Sequence, residues 1–486
     1  MEEQMSAGNP CYLTIAEASA LMKAKRLSPV ELTQAYLDRI ESLDPAVGSF
    51  ITVLRDQASV RAREMEKEIA VGHHRGPLHG IPIAVKDMFA TQGDRTTCGS
   101  KILQDNITHH DATAVARLRA AGCILLGKLT LSEFAFGDDV NPLTGQGPTR
   151  NPWNLERSVA GSSSGSAAAV CASFCAGALG TDTGGSIRVP SGYCGIVGMK
   201  PTYGRVSRYG VTPLAWSLDN VGPMTRSVED SALMLAVIAG ADPADRMCSD
   251  EPVADYRQGL HAGVKGLRVG LPKQYFLEYA THDVADAVRE AARVLEGLGA
   301  TLSEVELPQL KYAVAAEKAI ILSESFAYHQ KYLRQGKFDL YTDACKSAWD
   351  TARYISAADY IQAQRLRSAL IRDFEKAYEQ VDVILTPSTG VEANTIQEEL
   401  ADRPPRRGVP AGEITLMEIG DRMVYPGNIA GVPALALTCG FSAAGLPLGL
   451  QIMGRNFDEA TVYRVGAAYE QATDWHTRRP QISPVS

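Results

Sequence analysis

The sequence predicts an α/β fold in which helices cover both faces of a β-sheet. Short apolar runs, typical of buried strands, alternate along the chain with longer segments of helical periodicity. The apolar runs 81–85 and 123–127, for example, are separated by the helical segment 112–121. With 486 residues, 45% of them apolar, the chain is long enough to bury a large core.

Capping residues mark where the first helices begin. Thr14 is followed three positions later by Glu17, and Ser28 by Glu31, so that each pair forms a capping box. Pro29 occupies the first helical position after Ser28, where proline is favoured. Helices are predicted at residues 14–25, 28–43, 56–71, 112–121, 227–239, 282–297, 309–380 (with a break near 336) and 458–472.

Strands are predicted from short apolar runs that are bounded by glycine, proline or polar residues. The last two runs are joined by the turn-rich segment GFSAAGLP, which predicts a hairpin. The predicted strands cover residues 81–85, 123–127, 195–200, 267–271, 381–386, 434–439 and 448–453.

The composition argues against several classes of function. The formal charge is −8, from 48 basic and 56 acidic residues, whereas nonspecific nucleic-acid binding needs clustered cations. The nine cysteines have no zinc-finger spacing, so we expect reduced thiols, a cytoplasmic protein and no metal site. We find no run of about 20 apolar residues that would span a membrane. We therefore expect no nucleic-acid partner, no membrane partner and no cofactor.

Residues 160–193 hold two clusters of small residues, GSSSGS at 161–166 and GGS at 184–186. The first cluster matches G-x-S-x-G, the nucleophile elbow of α/β-hydrolases, with Ser163 as the nucleophile. That motif requires a preceding strand and a histidine partner. Residues 154–158 show no strand pattern, and the downstream histidines have no distinctive surroundings. The sequence therefore disfavours an α/β-hydrolase elbow.

Lys86 is a candidate general base. A serine nucleophile without a histidine partner needs another base, and a neutral lysine serves this role. The reference pKa of lysine is about 10.4, and burial lowers it because desolvation disfavours the charged form. Lys86 follows an apolar strand, at the kind of position where ligands gather in open α/β sheets. An exposed lysine at a strand end is the alternative interpretation.

The second cluster, at residues 184–186, is a candidate oxyanion hole. Two glycines before Ser186 allow successive backbone N–H groups to converge on one point. Such donors contribute about 2.7–4 kcal/mol each in acyl transfer. A glycine-rich turn with Ser186 as a helix cap is the alternative interpretation.

Taken together, these motifs resemble the amidase signature family. The resemblance spans nearly the whole chain, and only Ala160 and Ser164 depart from glycines that are common in the first loop. The matching segments are residues 80–87 (GIPIAVKD), 147–152 (GPTRNP), 161–163 (GSS), 180–188 (GTDTGGSIR), 194–195 (CG), 198–204 (GMKPTYG) and 446–451 (LPLGLQ).

The resemblance implies an amide hydrolase with a Ser-cisSer-Lys triad that works through an acyl-enzyme. Ser186 is then the nucleophile, Ser162 the bridging serine with a cis peptide bond, and Lys86 the base. Asp182 and Arg188 flank the nucleophile, and we interpret them as structural supports. The implied oxyanion hole consists of the backbone N–H groups of Thr183, Gly184, Gly185 and Ser186.

The same resemblance implies the architecture of the chain. The expected fold is an α/β/α sandwich with a mixed central sheet, in a single domain that covers residues 1–486. The signature core is expected at about 75–240, and the segment 309–410 is a candidate lid over the site.

The family includes stand-alone amidases and the glutaminase subunit of a tRNA-dependent amidotransferase. The glutaminase subunits usually carry a double arginine between residues 336 and 364, where an arginine binds the glutamine carboxylate. This chain lacks the double arginine, although Asp421 matches an aspartate that binds the glutamine amine in those subunits. We therefore expect a stand-alone hydrolase, monomeric or homodimeric, and the glutaminase of an amidotransferase is the alternative.

Aromatic residues predict the kind of substrate. We expect an apolar or aryl amide, with carbamates or esters as further candidates, because several aromatic side chains lie near the motifs. Each of them is also interpretable as part of the core. The candidate substrate-binding residues are Phe134, Phe136, Trp216 and Tyr425, with Trp349 and Tyr354 as further aromatics of the same group.

Overall fold

The computed structural model describes residues 9–136, 143, 147–401 and 416–484. Within this part of the chain a large mixed sheet packs against helices, which confirms the predicted α/β class. The strands are β1 (Phe50–Val53), β2 (Pro82–Lys86), β3 (Ile124–Leu129), β4 (Arg150–Asn151), β5 (Asn154–Ser158), β6 (Gly177–Asp182), β7 (Val197–Lys200), β8 (Asn220–Thr225), β9 (Arg268–Pro272), β10 (Thr301–Val305), β11 (Val383–Pro387), β12 (Ala434–Phe441) and β13 (Pro447–Gly454).

The helices follow the predicted segments closely. The capping boxes at Thr14 and Ser28 both form, and the second helix continues to Val47, past the predicted end at 43. The helices are α1 (Ile15–Lys23), α2 (Pro29–Val47), α3 (Arg55–Ala70), α4 (Thr113–Ala120), α5 (Ser164–Cys171), α6 (Arg188–Cys194), α7 (Val228–Ile238), α8 (Phe276–Tyr279), α9 (His282–Gly297), α10 (Ala313–Arg334), α11 (Asp343–Ala352), α12 (Ala357–Gln380), α13 (Ile396–Ala401), α14 (Leu416–Ala430) and α15 (Glu459–Ala472).

The main sheet has eleven strands in the order β1-β3-β2-β6-β8-β7-β12-β13-β11-β9-β10. Strand β2 is parallel to both β3 and β6, and β9 is parallel to β10 and β11. The other neighbouring strands are antiparallel, including the predicted hairpin β12–β13. Because β2 and β6 are parallel neighbours, their carboxyl ends lie at the same edge of the sheet, and this edge holds the candidate site.

Two segments differ from the sequence-based prediction. The segment of small residues between the two serine clusters forms α5 and then β6, although no strand was predicted there. Gly177–Asp182 is fully buried and therefore lacks the alternating pattern of a half-exposed strand. The polar segment Asn154–Ser158 is strand β5, which pairs with β4 in a separate two-stranded ribbon. The ribbon lies outside the main sheet, so it does not supply the strand that a nucleophile elbow requires.

Helices α10, α11 and α12 occupy most of the candidate lid segment. The chain breaks near Gly336 as predicted, where the backbone turns with φ of 72°. Residues 402–410 of that segment lie outside the described residues. None of the helices in the described ranges is both long enough and apolar enough to cross a membrane.

Candidate active site

Lys86 is the last residue of β2, and its side chain is fully buried. Its Nζ lies 2.7 Å from Ser162 Oγ, 3.0 Å from Ser163 Oγ and 2.8 Å from Thr181 Oγ1. Since a hydroxyl both donates and accepts, these contacts suit either protonation state of the amine. The alternative of an exposed lysine is therefore wrong, and the arrangement allows a proton to pass between Lys86 and Ser162.

The carboxylate of Asp87, the residue after Lys86, forms an ion pair with a different lysine. Asp87 Oδ1 forms an ion pair with Lys128 Nζ at 3.1 Å, and both side chains are fully buried. Asp87 Oδ2 also accepts hydrogen bonds from the backbone and the hydroxyl of Thr97, at 2.9 and 2.5 Å. The neighbouring strands β2 and β3 thus each carry a buried lysine, and the two lysines have different surroundings.

The first serine loop contains a cis peptide bond between Gly161 and Ser162, as the family resemblance implied. Ser163, the candidate nucleophile of G-x-S-x-G, donates its hydroxyl to Thr181 O at 3.1 Å and accepts the Thr181 N–H at 3.3 Å. These bonds, together with that to Lys86, fix the hydroxyl against β6. Ser163 therefore joins the loop to the sheet and supports the lysine.

The second serine loop leaves the end of β6 and leads into α6. Ser186 lies in this turn, and its carbonyl accepts the N–H of Ser163 at 3.3 Å, which brings the two serine loops into contact. Gly185 has φ of +94°, and a Cβ there would lie 2.3 Å from Val424 Cγ2, so that only glycine fits. The Gly185 N–H donates to Asp182 Oδ1 at 2.9 Å, so this predicted oxyanion donor already has a partner.

Asp182 and Arg188 form a fully buried pair that supports the second loop. Their side chains make two contacts of 3.1 Å, and Asp182 also accepts the N–H of Ile187 at 3.1 Å. Burial alone would raise the pKa of Asp182, but Arg188 more than offsets this and holds the pKa well below its usual range. Arg188 reaches further, to Asn428 and to Gln451 Oε1, which links the loop to α14 and β13.

A cavity of about 250 Å³ is lined by one residue that contacts the lysine, although Lys86 itself is not part of the lining. Its lining includes Thr181 and Met88, and Thr181 is one of the three residues whose hydroxyls contact Lys86. Trp216, a predicted substrate-binding residue, lines this cavity, and Arg246 lies at the same surface. The cavity therefore gives access to the region around β2 and β6.

The other predicted aromatic residues lie in different places. Tyr425 is beside the second loop, because a Cβ on Gly184 would lie 2.7 Å from its Cε1. Phe134 is fully buried, with its ring 4.5 Å from that of His329. Phe136 stacks on buried Trp349 at 5.8 Å, whereas Tyr354 is 83% exposed. The structure thus brings Tyr425 to the second serine loop and Trp216 to the cavity, while Phe134 belongs to an aromatic cluster with α10 and α11.

Glu317 on α10 is a site residue that the sequence analysis missed. It is fully buried, and neither carboxylate oxygen has a hydrogen-bond partner among the described residues. Its Oε1 would lie 3.3 Å from a Cβ on Gly184. Burial raises the pKa of Glu317 well above its usual range, since the opposing effect of Arg188 is smaller. A signal was present, because Glu317 shares the buried helix face of Ala313 and Ile320.

Asp421 and Tyr425 complete an acidic cluster with Glu317. Asp421 Oδ2 lies 2.8 Å from Lys318 Nζ, and its carboxylate accepts a hydrogen bond from Tyr425. Burial raises the pKa of Asp421, although Lys318 opposes this effect. No group of three or more potential metal ligands occurs within the ranges that the structure describes.

Comparison with known proteins identifies the family. The Amidase family model matches residues 31–463. The A subunit of the glutamyl-tRNA(Gln) amidotransferase of Geobacter metallireducens is 44% identical, over 97% of this chain and 99% of that protein.

Solved structures agree with this assignment. The A subunit of the glutamyl-tRNA(Gln) amidotransferase from Thermotoga maritima superposes with a TM-score of 0.81. It is 33% identical, over 98% of this chain and 99% of that protein. A peptide amidase from Stenotrophomonas maltophilia has a TM-score of 0.82 and 34% identity, over 97% and 99%. The chain is an enzyme of C–N bond chemistry and belongs to the amidase signature family.

Proposed function

We propose that this chain hydrolyses an amide through Ser186, with Ser162 as proton relay and Lys86 as base. The 2.7 Å contact between Lys86 Nζ and Ser162 Oγ supports the first half of the relay. The contact between the two serine loops supports the second half, because it holds Ser186 next to the loop of Ser162.

The proposed reaction has two stages. Neutral Lys86 takes a proton from Ser162, which takes one from Ser186, and the Ser186 oxygen forms a bond to the amide carbonyl carbon. The relay then returns the proton to the leaving nitrogen as the C–N bond breaks, which gives an acyl-enzyme and a free amine or ammonia. Water, activated by the same relay, hydrolyses the ester and regenerates Ser186.

The oxyanion of each tetrahedral intermediate needs backbone donors. The N–H groups of Thr183, Gly184 and Ser186 are proposed for this role, in agreement with the sequence-based expectation. Because the Gly185 N–H donates to Asp182, we assign Gly185 chiefly to the shape of the turn.

We further propose that the chain acts as the glutamine-hydrolysing component of a glutamyl-tRNA(Gln) amidotransferase. The observation that carries this is the 44% identity to the A subunit of such an enzyme over nearly the full length of both chains. It favours the amidotransferase component over the stand-alone amidase that the sequence motifs led us to expect. In this role the partners are further protein subunits and a charged tRNA.

A stand-alone amidase is the second candidate, and two observations favour it. The segment 336–364 lacks the double arginine expected in the glutaminase subunits. Lys318 forms an ion pair with Asp421, the residue that corresponds to the amine-binding aspartate.

Ammonia release from glutamine separates the two candidates. The purified chain is assayed alone, then with the partner subunits of an amidotransferase and glutamyl-tRNA. Glutamine hydrolysis that rises strongly in the assembly supports the amidotransferase component. Rapid hydrolysis of aryl amides or carbamates by the chain alone, with no response to the assembly, would identify a stand-alone amidase.

A further inference from the structure

We infer that Glu317 is a specificity-determining residue that binds a positively charged nitrogen of the amide substrate beside Gly184. This inference deepens the proposed amide hydrolysis and rests on it. It applies to either candidate, since it concerns the part of the substrate that does not react.

Position is the first argument. Glu317 Oε1 would lie 3.3 Å from a Cβ on Gly184, and Gly184 precedes the proposed nucleophile Ser186 by two residues. Two residues span at most about 7 Å of extended chain. A substrate whose carbonyl carbon lies at Ser186 therefore brings a group three or four bonds away within reach of Glu317.

The absence of a protein partner is the second argument. A buried carboxyl group usually has hydrogen bonds, because burial without them is costly. Both oxygens of Glu317 lack such bonds to any residue that the structure describes, although the side chain is fully buried. A bound substrate with a group that donates N–H bonds would satisfy these two oxygens.

The surrounding charges give the third argument, because three cations near Glu317 already have other partners. Arg188 binds Asp182 and Gln451, and Lys318 forms an ion pair with Asp421. Arg367 donates its Nε to the carbonyl of Ile429. Burial raises the pKa of Glu317, and an ammonium group bound beside it would stabilise the ionised carboxylate, whereas a bound carboxylate would oppose its ionisation.

A set of four amides that differ only at the far end tests this inference. 4-Aminobutanamide carries an ammonium group three carbons from the amide carbon, and butanamide carries none. Glutaramate has a carboxylate in place of the ammonium, and glutamine has both groups. For the wild-type chain we expect kcat/KM for 4-aminobutanamide to exceed that for butanamide by about tenfold or more. This factor corresponds to the free energy that a hydrogen bond to a charged group contributes. We expect glutaramate to be the poorest substrate.

Glu317→Gln keeps the size of the side chain and removes its charge. We expect the preference for 4-aminobutanamide over butanamide to fall to less than about threefold. The ratio of two substrates on one preparation is insensitive to any loss of folded protein. Glu375→Gln, at an exposed glutamate on α12, is the matched control and should keep the wild-type ratio.

Binding to a Ser186→Ala variant separates this inference from the proposed function. Ligand-observed NMR titration measures 4-aminobutanamide and butanamide without turnover. Selective binding of 4-aminobutanamide that Glu317→Gln removes supports the inference even when no amide is hydrolysed, in which case only the proposed function fails. Equal binding of the two ligands, or selectivity that survives in Glu317→Gln, overturns the inference whatever the activity.

Discussion

At the scale of the residue, two buried lysines on the neighbouring strands β2 and β3 have different partners. Lys128 forms an ion pair with Asp87, whereas Lys86 contacts three hydroxyls. An ion pair fixes its lysine, while hydroxyls that donate and accept allow a proton to move. The hydroxyl contacts of Lys86 therefore suit the role of base that we propose for it.

Removal of the relay residues should abolish turnover while leaving the fold intact. We expect Lys86→Ala and Ser186→Ala each to lower kcat by about three orders of magnitude or more, because members of a catalytic unit depend on one another. The measurement is amine or ammonia release from an amide that the wild-type chain cleaves, with circular dichroism to check folding.

Ser163→Ala is the matched control for these two variants. Ser163 contacts Lys86 but belongs to the support of the loop, so we expect a fall in kcat of about tenfold at most. Loss of activity in Ser163→Ala by about three orders of magnitude, with Ser186→Ala still active, would return the nucleophile to the G-x-S-x-G motif.

Sequence reasoning reached the proposed relay residues partly through local patterns and partly through the family resemblance, which alone indicated Ser162. Lys86 follows an apolar strand, and Ser186 follows two glycines, so both were visible as short patterns. Glu317 was missed although it lies at helical spacing from Ala313 and Ile320, because a glutamate on such a face is not assigned to a site until its neighbours in space are known. Strand β6 was missed for a related reason, since a strand buried on both faces and rich in glycine lacks alternation.

At the scale of the element, α10 connects three parts of the site. Glu317 reaches the second serine loop, and Glu324 accepts the N–H and hydroxyl of Ser217 at 2.9 and 2.6 Å, next to Trp216 in the cavity wall. Further along, His329 packs in an aromatic cluster with Phe134 and Trp349. The position of Glu317 and Glu324 therefore depends on how the whole of α10 is packed, including the contacts of His329.

The aromatic cluster around His329, near the end of α10, should contribute less to the stability of the fold at low pH. Burial lowers the pKa of His329 to about 3, so the folded chain binds fewer protons there than the unfolded chain below about pH 6.5. Stability from this residue is therefore lost as the pH falls from 6.5 towards 3. Relative to His329→Gln, wild-type protein should lose about 2–3 kcal/mol between pH 7 and 4.5, measured by urea unfolding.

An exposed histidine serves as the control for this effect. His282→Gln, at the start of α9, should show no comparable change relative to wild type over the same pH range. A difference between wild type and His329→Gln that does not vary with pH would contradict the buried, neutral state of His329.

At the scale of the whole molecule, Arg188 joins segments that are distant in sequence. It binds Asp182 at the end of β6, the carbonyl of Val424 and the side chain of Asn428 on α14, and Gln451 on β13. Strands β6 and β13 are separated in the sheet by β8, β7 and β12. The second serine loop thus depends on both halves of the sheet.

Loss of Arg188 should destabilise the whole fold. Arg188→Met leaves Asp182 buried without its counter-charge, and we expect a loss of about 3–5 kcal/mol in the free energy of unfolding. The double variant Asp182→Asn/Arg188→Met should recover part of this loss, since no unpaired charge remains. Urea unfolding measures both.

The exposed pair of Arg268 and Asp382 provides the comparison. It has similar hydrogen bonds, at 2.8 Å for the closest, but the Arg268 side chain is 42% exposed. Arg268→Met should cost much less than Arg188→Met, because solvent screens an exposed ion pair. An equal cost for the two arginine variants would contradict the structural role assigned to Arg188.

The pairing of β7 with β12 has a consequence for synthesis on the ribosome. Lys200 lies opposite Ala434, so the two halves of the sheet meet only when most of the chain has been translated. Lys86, Ser162 and Ser186 emerge early, whereas the Arg188 partners Asn428 and Gln451 emerge near the end. A nascent chain therefore carries the proposed relay residues well before these partners can stabilise the second serine loop.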